Sequence, residues 1–506
     1  MPAAPGDVRT PWAPVLVALS ALFTLAYLRV ALARMAYPFE LEWIEGGLLQ
    51  ATMRVLEHQP LYARPTLEYV AFNYPPLYPW IAALVSRAVG GGFFPLRLVS
   101  FAASLGCMAL IALLVGRETR SRLAPVLAVG LFAATFRISG AWFDVARADS
   151  LYLLLLLGGF VSLRLDASRV RSALVSGVLF SLAFLAKQSA PMVVAPMLLY
   201  LLWTDRTRFL VLAAVIAAGI GGSTLWLDHA SGGWFRYFLF DAPRHHPMEM
   251  GRVLAFWPED VLMRMGLALL VALAGVGPAA GEAPSRRGFY AAMFAGTAAS
   301  SWFHRMYPGG YDNVLMPLYA TIAILFALGG HEVLRWCAGQ AAGVRARVTG
   351  MLGIASVLQL VALAYNPLAQ VPTRADRATG EQFVAGLRAI PGRVLVASQP
   401  YLARRAGKPD HFHEMAFIAV VQDGNREAET TLARDLERAV RDTAYSVVIL
   451  SSRGWLGPVV QQGYQQRPEP ILGDDTFWPV TGMRTRPEYL FLPRRSAPAP
   501  APPAYR

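Results

Sequence analysis

Apolar runs of transmembrane length recur through residues 12–366 and then stop, and this clustering decides what the chain can fold into. Inside hydrocarbon every backbone polar group needs a partner within the protein, which leaves helices and closed barrels as spanning structures. Continuous runs of about 20 apolar residues suit helices, at about 1.5 Å of rise per residue. The pattern predicts spans at 12–34, 96–116, 124–141, 150–165, 172–187, 190–203, 209–227, 260–277, 289–303, 313–330 and 349–366, about eleven in all. The first run follows Arg9 and could be read as a secretory signal, but its length and the presence of Arg29 and Arg34 point to a retained anchor.

The formal charge of +13 would suggest nucleic acid in a soluble chain, yet only 16% of residues are charged and 55% are hydrophobic. The arginines sit mainly in short gaps between apolar runs: Arg117, Arg120 and Arg122; Arg164, Arg169 and Arg171; Arg206 and Arg208; Arg286 and Arg287; Arg335, Arg345 and Arg347. These set topology rather than bind nucleic acid, and the positive-inside rule makes their side, with the N-terminus, cytoplasmic. Opposite loops hold single cations such as Arg147, Lys187 and Arg305, and Trp142, Trp234, Trp302, Tyr307 and Tyr311 gather at that boundary as interfacial aromatics do. Residues 76–89 are apolar but short and carry Pro79 and Arg87. Taken as an interfacial helix they keep the arginine gaps on one side; taken as a span they invert everything downstream. The interfacial reading, with an odd number of spans, places the C-terminus outside.

Beyond residue 366 charged residues and turn formers become frequent. "GEQFVAGLRAI" and "TTLARDLERAVRD" read as amphipathic helices, and "RVLVAS", "YSVVILSS" and "YLFLP" as strands. The expected architecture is therefore an all-α polytopic membrane domain over 1–368, a small extracytoplasmic α/β domain over 369–495 and a disordered Pro/Ala-rich tail over 496–506. Cys107 lies in an apolar run and Cys337 in a basic stretch, so neither a disulfide nor a zinc site is expected. No internal repeat is visible, which argues against transporters built from two related halves.

Ionisable residues at a membrane boundary are costly to desolvate and call for a partner or a use. Glu40, Glu42 and Glu45 follow the first span in "YPFELEWIEGG"; on a helix, Glu42 and Glu45 would share a face and Glu40 would not. They can act in chemistry, or form an acidic first turn that favours the dipole of the next helix. In "WFDVARADS", Asp144, Arg147 and Asp149 can hold a metal or a phosphate; alternatively Asp149 and Ser150 cap the next helix while Arg147 pairs with a carboxylate. Further candidates are Lys187 with Gln188, Arg244, His245 and His246 in the long loop over 228–258, and His304, Arg305, Tyr307, Asp312 and Asn313 in "WFHRMYPGGYDN". A lone Lys at a helix end commonly snorkels and paired loop histidines are commonly surface groups. What raises the set above chance is its shared side, opposite the arginine gaps.

An acidic motif after the first span, then "HQPLY", "YPPLYPW" and "PLRLVSF" in that order, with "FLAKQSAP" and "GGYDNVLMPLYA" later, resembles the GT-C glycosyltransferases related to dolichyl-phosphate-mannose protein mannosyltransferases and the bacterial lipid A aminoarabinose transferase. The resemblance covers roughly residues 12–330 and adds Tyr74 of "YPPLYPW" to the substrate-binding candidates. It implies a GT-C-like fold with interfacial helices in the first outer loop. It also implies transfer of a sugar from a polyprenyl-phosphate donor to a lipid, glycan or protein acceptor, with inversion, in a bacterial cytoplasmic membrane. Its acidic residue of the first outer loop matches Glu45 by position, with Glu42 next. A contiguous acidic pair common in relatives is replaced here by glutamates three apart, which leaves the base open between them. No cofactor is demanded; a divalent metal such as Mg or Mn is the one group the resemblance admits, with Glu42, Glu45 and Asp144 as candidate ligands. A flippase or transporter of lipid-linked sugars, and a polysaccharide polymerase or ligase, are the competing readings. The first of these expects ionisable residues near mid-span rather than at one boundary.

Overall fold

The computed structural model describes residues 11–245, 247–276, 284–422 and 426–494. His246 and the 496–506 tail lie outside the described residues, as does the side chain of His245. The chain divides into two compact units, Met1–Pro38 with Val55–Gln59 and Tyr74–Val371, and Phe39–Arg54 with Pro60–Asn73 and Pro372–Arg506. This corrects the division at residue 368, because most of the loop after the first predicted span, Phe39–Arg54 and Pro60–Asn73, belongs with the C-terminal unit. Long-range hydrogen bonds account for it: Thr481 N–H donates to Leu41 O (3.2 Å), Phe412 N–H to Leu67 O (3.0 Å), and Gln399 Nε2 to Glu40 Oε2 (3.1 Å).

The principal helices before residue 366 are α1 (Ala13–Arg34), α2 (Glu45–Leu56), α3 (Leu77–Val89), α4 (Phe93–Thr119), α5 (Leu123–Ala134), α6 (Asp149–Leu165), α7 (Arg169–Ala186), α8 (Ala190–Thr204), α9 (Arg206–Ala230), α10 (Arg264–Val276), α11 (Pro284–Arg305), α12 (Met316–Ala338) and α13 (Ala342–Ala362). Among the described residues six helices are long and apolar enough to cross a membrane: α1, α4, α7, α9, α12 with its lead-in from Asp312, and α13. The predicted spans fall largely on helices; the run over 124–141 stops being helical at Ala134 and turns at Gly140 (φ 72°) and Ala141 (φ 57°), the run over 260–277 is kinked at Met265, and the run over 349–366 leaves its helix at Ala362. Helix α3 has 13 residues, or about 20 Å, less than the hydrocarbon thickness of about 30 Å, and α5 with 12 residues is equally short.

Helix α12 is the centre of the first unit, with 89% of its apolar stretch buried against 11% for α9 at the periphery. Close approach is made by small residues, as between helices that lack a hydrophobic drive to associate. A Cβ on Gly329 of α12 would stand 2.4 Å from Val271 O of α10, and one on Gly296 of α11 would stand 2.0 Å from Val193 O of α8. Helix α6, about 25 Å long, separates two polar clusters. At its start Asp149 binds Lys187 and Asn313; at its end Arg164 binds Glu118, which also accepts from Arg286 (2.7 Å), and Arg286 reaches Glu332 (3.2 Å). Within the first unit, Asp149 with Lys187 and Asn313 therefore lies at one end of α6, and the Arg164 and Arg286 cluster at the other.

In the second unit β1 (Val394–Val396), β2 (Val447–Leu450), β3 (Tyr464–Gln466) and β4 (Tyr489–Pro493) form one sheet in the order β1-β2-β4-β3. The pair β1/β2 is parallel and the other two pairs are antiparallel. The predicted helices appear as Arg374–Ala389, opened by a Thr373/Asp376 capping box, and Glu427–Arg441. Strand β3 went unseen in the sequence because Tyr-Gln-Gln carries no apolar alternation.

Candidate active site

The acidic loop is built into the second unit. Phe39 meets Phe477 edge to face (5.0 Å between centroids), and Thr481 runs as a short parallel bridge beside Glu42. Glu45 is the first residue of α2, and its Oε2 accepts from Leu41 N–H (2.6 Å). Glu40 Oε1 accepts from Gly46 N–H (2.9 Å), so two carboxylates brace the entry to the helix from both sides. Glu42 Oε2 accepts from Ile44 N–H (3.2 Å). The expectation that Glu42 and Glu45 share a helical face is thereby corrected: α2 begins at Glu45, and the spacing of three makes a turn in which Glu45 N–H donates to Glu42 O (3.0 Å). All three carboxylates are buried. Burial pushes the Glu40 carboxyl well above the usual carboxylate range, against smaller opposing effects from Gln399 and Gly46. The two glycines are needed for contact: a Cβ on Gly47 would lie 2.0 Å from the Phe72 ring.

In the first unit the "WFDVARADS" segment brings its charges to different partners. Asp149 Oδ1 accepts from Lys187 Nζ at the end of α7 (2.6 Å) and from Asn313 Nδ2 ahead of α12 (2.8 Å). Its side chain caps nothing, and Ser150 Oγ donates to Phe143 O (2.6 Å), so the capping alternative does not describe them. Lys187 does not snorkel; its side chain is 13% exposed. Arg147 donates to Tyr74 OH (2.5 Å) and lies over the Trp142 and Tyr74 rings at 4.7 and 5.2 Å, while its carbonyl accepts from Ser100 Oγ of α4 (2.9 Å). Beside Asp149 and Lys187, a cleft of about 10 Å³ is bounded by Tyr152, Ser189, Ser300 and His304. It has room for about one water, so a larger anion reaches Lys187 only if lining side chains move. His304 Nδ1 donates to Ser300 O (2.7 Å), which leaves its Nε2 as the acceptor in the neutral ring.

Other candidates are neutralised in place. Both oxygens of Asp144 are taken by Arg34 (2.7 and 2.8 Å), which the sequence had not suggested as its partner. Arg305 binds Asp260 (2.8 and 3.0 Å), Asp312 (3.0 Å) and Gly310 O (2.9 Å), and Arg264 joins the same two carboxylates. Asp260 and Arg264 were missed because they fall where the sequence shows only the start of a span. Arg244 is mostly exposed, 3.8 Å from Asp241, and joins none of these groups. Among the described residues no group of three His, Cys, Asp or Glu side chains could hold a metal ion. With Asp144 bound by a guanidinium on both oxygens, the metal expectation at that residue does not fit the donors present.

Residues 73–225, which contain Tyr74, Arg147, Asp149 and Lys187, match the sequence profile of the dolichyl-phosphate-mannose-protein mannosyltransferase family. Comparison with curated proteins gave no match. Among solved structures the chain is similar to ArnT from Cupriavidus metallidurans bound to undecaprenyl phosphate, at 12% identity and a TM-score of 0.61, covering 94% of this chain and 98% of that one. It is also similar to the Archaeoglobus fulgidus oligosaccharyltransferase tethered with an acceptor peptide, at 13% identity and a TM-score of 0.54 over 90% and 73% of the two chains. The arabinofuranosyltransferase AftD from Mycobacteria gives 12% identity and a TM-score of 0.51 over 95% and 41%. The fold is that of the GT-C glycosyltransferases, as the sequence resemblance implied.

Proposed function

From a chain carrying the GT-C fold, we propose a membrane glycosyltransferase that moves a sugar from a polyprenyl-phosphate donor to a lipid, glycan or protein hydroxyl. We place it in a bacterial cytoplasmic membrane, with its N-terminus inside and its C-terminal unit outside. The observation that carries this reading is the Arg147, Lys187, Asp149 and Asn313 group, a cation-rich polar site at one end of the helices and within the family-matched segment. Similarity to a structure solved with undecaprenyl phosphate supports a lipid phosphate as the anion.

In this mechanism the acceptor oxygen attacks the anomeric carbon while the bond from that carbon to the phosphate oxygen breaks, so configuration inverts. Negative charge grows on the departing lipid phosphate, and Arg147 and Lys187 stabilise it. Lys187 exchanges part of its bond to Asp149 for the phosphate as the donor settles. The acceptor proton goes to a carboxylate of the acidic loop, Glu45 or Glu42. No covalent sugar intermediate is needed.

Purified protein given a polyprenyl-phosphate sugar and membrane extract is expected to release free lipid phosphate. A translocator would move the donor intact, so absence of release under conditions that move the lipid would refute transfer. Arg147→Ala is expected to weaken donor binding about 10- to 100-fold, corresponding to roughly 1.5–3 kcal/mol for a lost charge-assisted hydrogen bond, with acceptor KM little changed. An unchanged donor affinity would remove Arg147 from the phosphate site.

A further inference from the structure

Gln399 has no part in the mechanism above, yet it stands just past the carboxyl end of β1, where parallel strands of α/β layers present functional groups. Its Nε2 donates to Glu40 Oε2 (3.1 Å), and both residues are more than nine-tenths buried, at 3% and 4% exposure. The other oxygen of Glu40 accepts from Gly46 N–H, and the Glu40 N–H donates to Tyr401 OH (3.2 Å) in the helix Pro400–Arg405. One carboxylate thus joins the end of β1 to the first turn of α2, which carries Glu45. Gly46 makes room for that junction: a Cβ there would stand 2.4 Å from Glu40 Oε1 and 2.7 Å from Tyr401 Cδ1.

We infer that Gln399 is a positioning residue for sugar transfer: through Glu40 it fixes the entry to α2 and so the orientation of the Glu42 and Glu45 carboxylates. Glu40, with a donor on each oxygen, is the anchor rather than the base. The inference rests on the proposed function, in which Glu45 or Glu42 takes the acceptor proton.

Displacing a reacting group by about 1 Å can lower a rate about 100-fold, so the signature is a loss in kcat without a loss in donor binding. In the lipid-phosphate release assay on the full chain, Gln399→Leu is expected to lower kcat about 10- to 100-fold while donor KM stays within about twofold. Gln399→Glu sets two carboxylates against each other, and the loss is expected to ease as the pH is lowered and one of them takes a proton. The exchanged pair, Glu40→Gln with Gln399→Glu, rebuilds the bond in reverse: the amide oxygen at 40 accepts from Gly46 N–H and its NH2 donates to the carboxylate at 399. It is expected to recover kcat to within about threefold of wild type, which mere damage to the sheet would not allow.

Wild-type kcat in both single variants, or an exchanged pair no faster than Gln399→Glu alone, overturns the inference. Glu42→Gln and Glu45→Gln are assayed in parallel. If either is inactive while the Gln399 variants are unaffected, only the positioning role falls; if both transfer at the wild-type rate, the base assignment falls and takes the positioning role with it.

Discussion

Glu45→Gln and Glu42→Gln, made separately, are expected to divide sharply: the variant that removes the base loses about 10²- to 10⁴-fold in kcat, and the other loses far less. Glutamine is the informative substitution because it keeps shape and a carbonyl oxygen while removing the proton-accepting carboxylate. At 45 that oxygen can still take the Leu41 N–H bond, and at 42 the Ile44 N–H bond, so the loop keeps its backbone partners. Thermal midpoints near wild type are therefore expected for both. Alanine would instead leave a buried N–H without its acceptor, at a cost of about 1–3 kcal/mol, and would mix folding with chemistry. The measurement is lipid-phosphate release at saturating donor and acceptor. The sequence resemblance favours Glu45 by position. Full activity in both variants would remove the acidic loop from the mechanism.

The helical skeleton was legible because a run of apolar residues about 20 long has few other uses, and because arginines between runs mark one side. What periodicity could not show were the irregular turns over 234–263, where short α, π and 3-10 pieces alternate. Nor could it show that Phe39–Arg54 belongs to the second unit, since the bond from Gln399 to Glu40 joins residues 359 apart in sequence. The same limit applies to the site. Arg147, Asp149, Lys187, His304 and Asn313 were named from their residue types and side, and Tyr74 from the family resemblance; hydrogen bonds tie Asp149 to Lys187 and Asn313, and Arg147 to Tyr74. Partners were another matter: Asp144 looked like a metal or phosphate ligand and Arg305 like a site candidate until Arg34 and Asp260 stood beside them. A sequence shows how many charges must be buried, and packing decides which of them cancel.

The Arg34–Asp144 pair supports the largest expected effect on stability. Arg34 ends α1 with its side chain fully buried, and Asp144 is 1% exposed. Besides its two bonds to Asp144, the guanidinium donates to Ala141 O (2.7 Å) and Gln370 O (3.0 Å), so it ties the end of α1 to the "WFDVARADS" segment and to the chain beyond α13. Removing one partner leaves a charge buried without its counter-charge, a loss of about 3–5 kcal/mol. Asp144→Ala is thus expected to lower the thermal midpoint of the purified protein clearly. Replacing both, Arg34→Met with Asp144→Leu, should cost less than the single change, because no uncompensated charge remains. Since Arg147 and Asp149 lie a few residues along the same segment, Asp144→Ala is also expected to raise donor KM even below its unfolding temperature. A metal ligand would behave differently: its loss would leave the thermal midpoint of the metal-free protein unchanged and would show as lost response to added Mg or Mn. An Asp144→Ala protein as stable as wild type would therefore overturn the structural role of the pair and return Asp144 to the candidate ligands.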